Sequence, residues 1–186
     1  MTERHKVFVS YHHDNDQGYK KSFIDMMATD YIVDKSVGDD DIDDENMKTE
    51  TIRQKIRDEY IADATVTVVL IGNETWKRKH IDWEISSSLR NTKKNYRTGL
   101  IGILLPSYKR PEPGKYTRYT VPPRLWDNVN EENFNGDRFA RIYSWEDDPE
   151  LIQQWIHEAF LRRDKINPIN NRPLYGKNHI GQRWYD

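Results

Sequence analysis

Cysteine is absent from the chain, which excludes disulfides, thiolate metal sites and cysteine nucleophiles. No run approaches the ~18 apolar residues of a membrane-crossing helix. The opening MTERHKVFVSY holds no apolar signal-peptide core. An excess of one charge sign is missing too. The 29 basic and 31 acidic residues leave a net charge of −2, unlike the basic footprint of a general nucleic-acid binder. Apolar residues make up 35% of the 186 and mean hydropathy is −0.99, so polar surface and long loops are expected. A chain of this length still buries roughly 70% of its unfolded surface, enough for one core. The expectation is one domain with an appendage, cytoplasmic, without membrane or nucleic-acid partners.

Several glycine signatures are also missing. No G-x-G-x-x-G follows the first predicted strand, and neither a Walker A loop nor a G-x-S-x-G elbow occurs. Redox and phosphoryl-transfer readings lose their main support. What is present is an alternation of strand and helix patterns. Lys6–Tyr11 predicts a first strand, and Tyr19, Phe23, Met26 and Met27 give the following helix its apolar face. Tyr31–Val33 is a short second strand, followed by an acidic loop from Asp34 to about Asn46. Ile52, Ile56 and Tyr60, at spacing four, predict a helix over Thr49–Ala62. Val66–Ile71 is a β-branched run stopped by Gly72-Asn73, and the helix after it, with Ile81, Ile85 and Leu89 inward, extends to about Asn95. Leu100–Leu105 and Arg141–Tyr143 supply two more strands, separated by a proline-rich stretch read as an irregular excursion over 106–137. Asp148-Pro149-Glu150 starts the last helix.

This alternation predicts an α/β, flavodoxin-like fold: a doubly wound five-stranded parallel sheet with helices on both faces. The domain spans 1–163 and an irregular C-terminal tail 164–186. Leu174, Tyr175, Ile180, Trp184 and Tyr185 imply that the tail docks, either on the excursion around Pro106–Pro123 or on a second copy.

Ligands of open parallel sheets bind at the carboxyl ends of the strands. Glu84 lies there, one turn after His80 and between Trp83 and Ile85. It is a candidate for chemistry on a sugar or nucleotide. The plainer alternative is a solvated helix glutamate paired with Lys79 or Arg90. The loop after the first strand, SYHHDND, offers hydroxyl, phenol, imidazole and carboxylate groups. His12 and His13 are adjacent and lack a third ligand at helical spacing, so they read as polar loop residues. Asp39, Asp41, Asp43 and Glu50 fall on calcium-ligating positions of an EF-hand loop. Asp44 stands where that loop needs glycine, Asn46 where it needs an apolar residue, and a strand precedes it, so a solvated charge run and no metal are expected.

Phe8-Val9-Ser10-Tyr11, then Val69-Leu70-Ile71-Gly72, Thr75, Arg78, Ile81 and Glu84-Ile85, then Ile101-Gly102-Ile103 together resemble a TIR-like domain. The closest likeness is to the TIR-like subunit of the Thoeris anti-phage defence system, over roughly Lys6–Leu105. The resemblance implies that Glu84 is the catalytic residue of NAD+ cleavage. It further implies a metal-independent NAD+ glycohydrolase or ADP-ribosyl cyclase, with NAD+ as substrate and no cofactor. Ser10, Tyr11, His12, Asn73, Trp76, His80 and Trp83 are then the substrate-binding candidates. Many TIR domains carry tryptophan four residues before the glutamate; His80 stands there, with Trp76 and Trp83 nearby. The resemblance also implies an ADP-ribose-derived signal, cyclic in form, that activates a partner effector protein, and a homo-oligomer whose loop after the second strand completes the pocket. The rival from another class is a non-catalytic TIR-like adaptor or scaffold. A phosphoacceptor domain needs an aspartate after the third strand, where this chain has Gly72-Asn73-Glu74.

Overall fold

All six residues of VTVVLI are buried, as parallel strands covered on both faces require. In the computed structural model, described over residues 3–27, 31–33 (backbone), 36–37, 41–42, 45–130 and 136–185, this run is β3 (Val66–Ile71). Around it stand β1 (Lys6–Ser10), β2 (Tyr31–Val33), β4 (Gly99–Leu104) and β5 (Ala140–Ser144). The five form one sheet in the order β2-β1-β3-β4-β5, with every neighbouring pair parallel. Side chains alternate between two cores. Val66, Val68 and Leu70 pack with Phe23 of α1 (His13–Met26) and with Ile152 and Ile156 of α5 (Pro149–Lys165). Val69 and Ile71 face Ile81 and Ile85 of α3 (Lys79–Ser88) and Leu125 and Val129 of α4 (Pro123–Asn130). A third cluster joins Phe8 to Ile52 of α2 (Thr49–Lys55), Ile56, Ile61 and Trp83. Gly99 permits the closest approach: a Cβ there would run into the backbone carbonyl of Ala159 on α5. No helix of the described residues is long and apolar enough to cross a membrane.

Four local features depart from the sequence reading. The helix over Thr49–Ala62 changes character at Ile56 and finishes as a π-helical segment, Ile56–Ile61. Its wider turn moves the inward position from the expected Tyr60 to Ile61, which is fully buried. The helix after β3 stops at Ser88 instead of running to Asn95. There the Thr92 hydroxyl accepts from the Lys94 and Asn95 amides, and Asn91 Oδ1 accepts from the Arg97 amide. These local side-chain bonds compete with helix continuation. The 106–137 stretch is not irregular throughout, because α4 lies inside it. Pro123 opens that helix, a position where a missing N–H costs nothing. The acidic loop is more than a solvated charge run: Val37 and Ile42 are buried in the cluster with Phe8 and Trp83. Asp39, Asp43 and Asp44 lie outside the described residues.

The tail runs along the outer side of α3. Arg124 of α4, fully buried, makes a two-point pair with Asp82 at 2.9 and 3.2 Å and donates to the carbonyls of Arg172 and Pro173. Asp82 also accepts from the Tyr175 amide at 3.0 Å. Asn178 Oδ1 accepts from the Lys79 amide at 2.9 Å, supplying the N-terminal cap that α3 lacks locally. Trp184 is 4% exposed and its indole N–H donates to the Val121 carbonyl at 2.7 Å. Ile180 and Tyr185 face solvent.

Candidate active site

The strand order reverses between β1 and β3, since the chain leaves β1 for β2 on one side and β3 lies on the other. In such sheets the crevice at the carboxyl ends of these strands is the natural ligand site. Ser10 ends β1 and Gly72 follows β3. Glu84 points from the second turn of α3 into this crevice. It is fully buried, and neither Lys79 nor Arg90 holds it as the plainer alternative supposed. Ser10 Oγ donates to Glu84 Oε2 at 2.5 Å, and the Val37 amide donates to Oε1 at 2.8 Å. Arg90 instead pairs with Glu50 at 2.7 Å. Burial pushes the Glu84 carboxyl up to about 8, against the lowering effect of those two hydrogen bonds. Burial thus favours the protonated carboxyl in this arrangement, where the Val37 amide covers it.

The other sequence candidates divide into four groups. Tyr11, His80 and a residue that the sequence reading set aside, His13, form a row of rings. His13 lies 4.8 Å from Tyr11 and 4.9 Å from His80, between centroids. The Tyr11 hydroxyl donates to Gln17 at 2.6 Å. His12 does a different job: its Nδ1 accepts from the Asn15 amide at 3.3 Å and caps α1. Burial, then the nearby Arg78, lowers its pKa. His12 is the extended N-cap and His13 the first helical residue, so the two imidazoles leave the backbone in different directions.

Asn73 ties two loops together, accepting from the Lys109 amide at 2.6 Å. It borders a cleft of about 430 Å³ that Glu74, Lys77, Tyr108 and Lys109 also line. The two tryptophans belong to the wall between α3 and the tail. Trp76 is buried, 6.4 Å from the His179 ring. Trp83 packs in the core beside Phe8 and Val37, and its indole N–H donates to the Tyr175 carbonyl at 2.8 Å. Neither exposes a ring face wide enough to stack on a ligand in this arrangement.

Asp16, absent from the sequence candidates, is a second buried carboxyl at the crevice. Burial raises it to about 6, opposed by the nearby hydroxyls of Ser107 and Thr75. It sits under the loop after β3, where a Cβ on Gly72 would come within 2.5 Å of Asp16 Oδ2. Thr75 Oγ1 accepts the Gly72 amide at 2.8 Å and holds that loop closed. A weak signal existed in the sequence: an acid in the first turn of the helix leaving β1, where the helix dipole favours negative charge.

A family model described as Thoeris protein ThsB, TIR-like domain, matches residues 8–110. The matched stretch runs from β1 past β4 and contains Ser10, Asp16, Val37, Gly72 and Glu84; α4, β5, α5 and the tail lie beyond it. No curated protein matches the chain.

Proposed function

Because the chain belongs to the family of Thoeris ThsB TIR-like domains, with their defence-related function, we propose that it is an NAD+-cleaving enzyme and that Glu84 is its catalytic residue. The observation that carries this reading is the inward Glu84 carboxyl at the β1–β3 crevice, held by Ser10 and the Val37 amide. Breaking the nicotinamide–ribose bond sends the bonding electron pair to nicotinamide, which leaves as a neutral molecule. Positive charge develops on the ribose in an oxocarbenium-like transition state. An ionised Glu84 in a dry crevice stabilises that charge far better than water would. The pyridinium ring of NAD+ is itself cationic, so its arrival lowers the carboxyl's pKa and favours the ionised form. No metal enters this chemistry, and a chelator is expected to leave turnover unchanged.

Attack by water gives ADP-ribose, and attack by an atom of the same molecule gives a cyclic isomer. Either is an ADP-ribose-derived signal for a partner effector. Self-association is part of the proposal, and the Val37 contact that covers Glu84 must open for substrate to enter.

The adaptor reading draws on one observation: Glu84 is sealed from solvent. One experiment separates the two. NAD+ incubated with the purified protein, alone and with lysate from phage-infected cells, is analysed by mass spectrometry, with Glu84→Gln as the control. Nicotinamide release that the control loses supports the enzyme. Absence of release under both conditions, or equal release by the control, refutes it.

A further inference from the structure

The opposite end of the sheet carries a group of side chains that the proposed NAD+ chemistry does not use. His5 stands one residue before β1, and His157 lies on α5. Their rings stack, with centroids 5.2 Å apart and planes 23° from parallel. His5 Nε2 and His157 Nδ1 approach to 2.9 Å. The Glu3 carboxylate joins them, so that one ligand atom from each residue lies within 4.8 Å of the other two. Among the described residues, no other three His, Asp or Glu side chains converge in this way.

We propose that Glu3, His5 and His157 form a binding site for one divalent transition ion of the zinc type, which ties the entry of β1 to α5. The ring that matters most is already fixed. His5 is 5% exposed and stacks on Phe160 at 4.4 Å, so little rotamer freedom is lost on coordination.

The geometry is close to what the ion needs. Two nitrogens bound to tetrahedral zinc at about 2.0–2.1 Å lie about 3.3 Å apart. The observed 2.9 Å separation therefore has to open by only ~0.4 Å on that bond length. Glu3 supplies negative charge. It offsets both the ion and Arg163, whose guanidinium lies 4.1 Å from the Phe160 ring beside the site. Two imidazoles select zinc, nickel or copper over magnesium and calcium, which prefer shells of oxygen. Three protein ligands leave the fourth position to water.

The test uses untagged, metal-free protein. CoCl2 is titrated while its visible d–d absorption is followed, ZnCl2 then displaces it, and MgCl2 serves as the comparison arm. One Co2+ per chain is expected, with a band that ZnCl2 removes and MgCl2 does not. His157→Gln should abolish the band. Glu3→Gln, a change at an exposed position that leaves the fold intact, should weaken affinity at least tenfold. At ZnCl2 a hundredfold above its dissociation constant, the unfolding constant should fall about a hundredfold. Absence of a saturable band, equal binding by wild type and Glu3→Gln, or effective competition by MgCl2 would each overturn the proposal.

Discussion

Replacing Glu84 by glutamine keeps the shape of the side chain and fixes it in the neutral state that burial already favours. The Gln Oε1 can accept the Val37 amide as the carboxyl does, while its NH2 group donates to Ser10 Oγ, which turns from donor to acceptor. The sign of the stability effect follows from the pKa. In the folded chain the Glu84 carboxyl is raised from 4.5 to about 8. Its contribution is thus fully present below pH 4.5 and is lost as pH rises through 8. At pH 7 the folded state holds a proton that the unfolded state has released. At 1.36 kcal/mol per pKa unit this costs on the order of 3 kcal/mol, rising to about 4 by pH 8. Glutamine has no such cost. Glu84→Gln should therefore melt roughly 6–12 °C above the wild type at pH 7, taking 2–4 °C per kcal/mol for a chain of this size. The difference should vanish near pH 4.5. Calorimetric melts of both proteins across pH 4.5–8.5 measure it, and Asp16, whose raised pKa acts in the same direction, cancels in the difference. A glutamine variant no more stable than the wild type at pH 8, or a gap that does not close toward pH 4.5, refutes the reasoning.

Gly72→Ala should destabilise by about 1–3 kcal/mol through overpacking, because its Cβ meets the Asp16 carboxylate. Most of that loss should disappear in the Asp16→Ala background, and additive melting shifts in the double-mutant cycle would contradict the contact. Arg124→Met leaves Asp82 buried without its cation, an expected loss of about 3–5 kcal/mol. Limited proteolysis should then cleave within 167–186 first; cleavage that begins elsewhere argues against Arg124 as the tail's anchor. Val37→Ala removes about 1–2 kcal/mol of burial from the loop that seals Glu84. Nicotinamide release should rise at pH 6 and change little at pH 9, so a lower rate at pH 6 in a folded variant counts against a sealing role.

The periodic parts of the chain were readable because the sheet demands them. β-branched runs buried on both faces, such as Val66–Ile71, have few other homes. The position of Glu84 after β3 was readable in the same way, from the strand–loop–helix order. What sequence spacing does not carry is the state of that carboxyl, because Val37 comes from a loop whose neighbours are acidic and polar. One valine among aspartates reads as exposed, yet it is fully buried. The role of α4 was hidden for a related reason. The prolines that lead into it signal irregularity along the chain, while Arg124 finds its partner 42 residues away. His12 and His13 show the limit at finer scale: which of two adjacent imidazoles caps the helix and which joins the ring row depends on backbone angles that composition does not report.

The closed crevice is held by terms of similar size, and that balance bears on the proposed reaction. Opening the loop exposes Val37, at about 1.5–3 kcal/mol, and breaks its hydrogen bond to Glu84, at about 1 kcal/mol. Release from burial returns the carboxyl toward its ordinary pKa of 4.5, a gain on the order of 3 kcal/mol at pH 7. Opposing terms this close leave the choice to small inputs such as pH, a second protein surface or the ligand's own charge. On the proposed function the pyridinium of NAD+ would be such an input, since it favours an ionised Glu84. On the proposed chemistry the same charge moves when the bond breaks: nicotinamide departs neutral, the positive charge passes to the ribose, and attack by water releases it as a proton. No pyridinium then remains beside the carboxylate, and the proton is available to Glu84. On that chemistry, protonation of Glu84 and return of Val37 would follow from the same free energies, so the charge of the proposed substrate would also set the term on which the site closes.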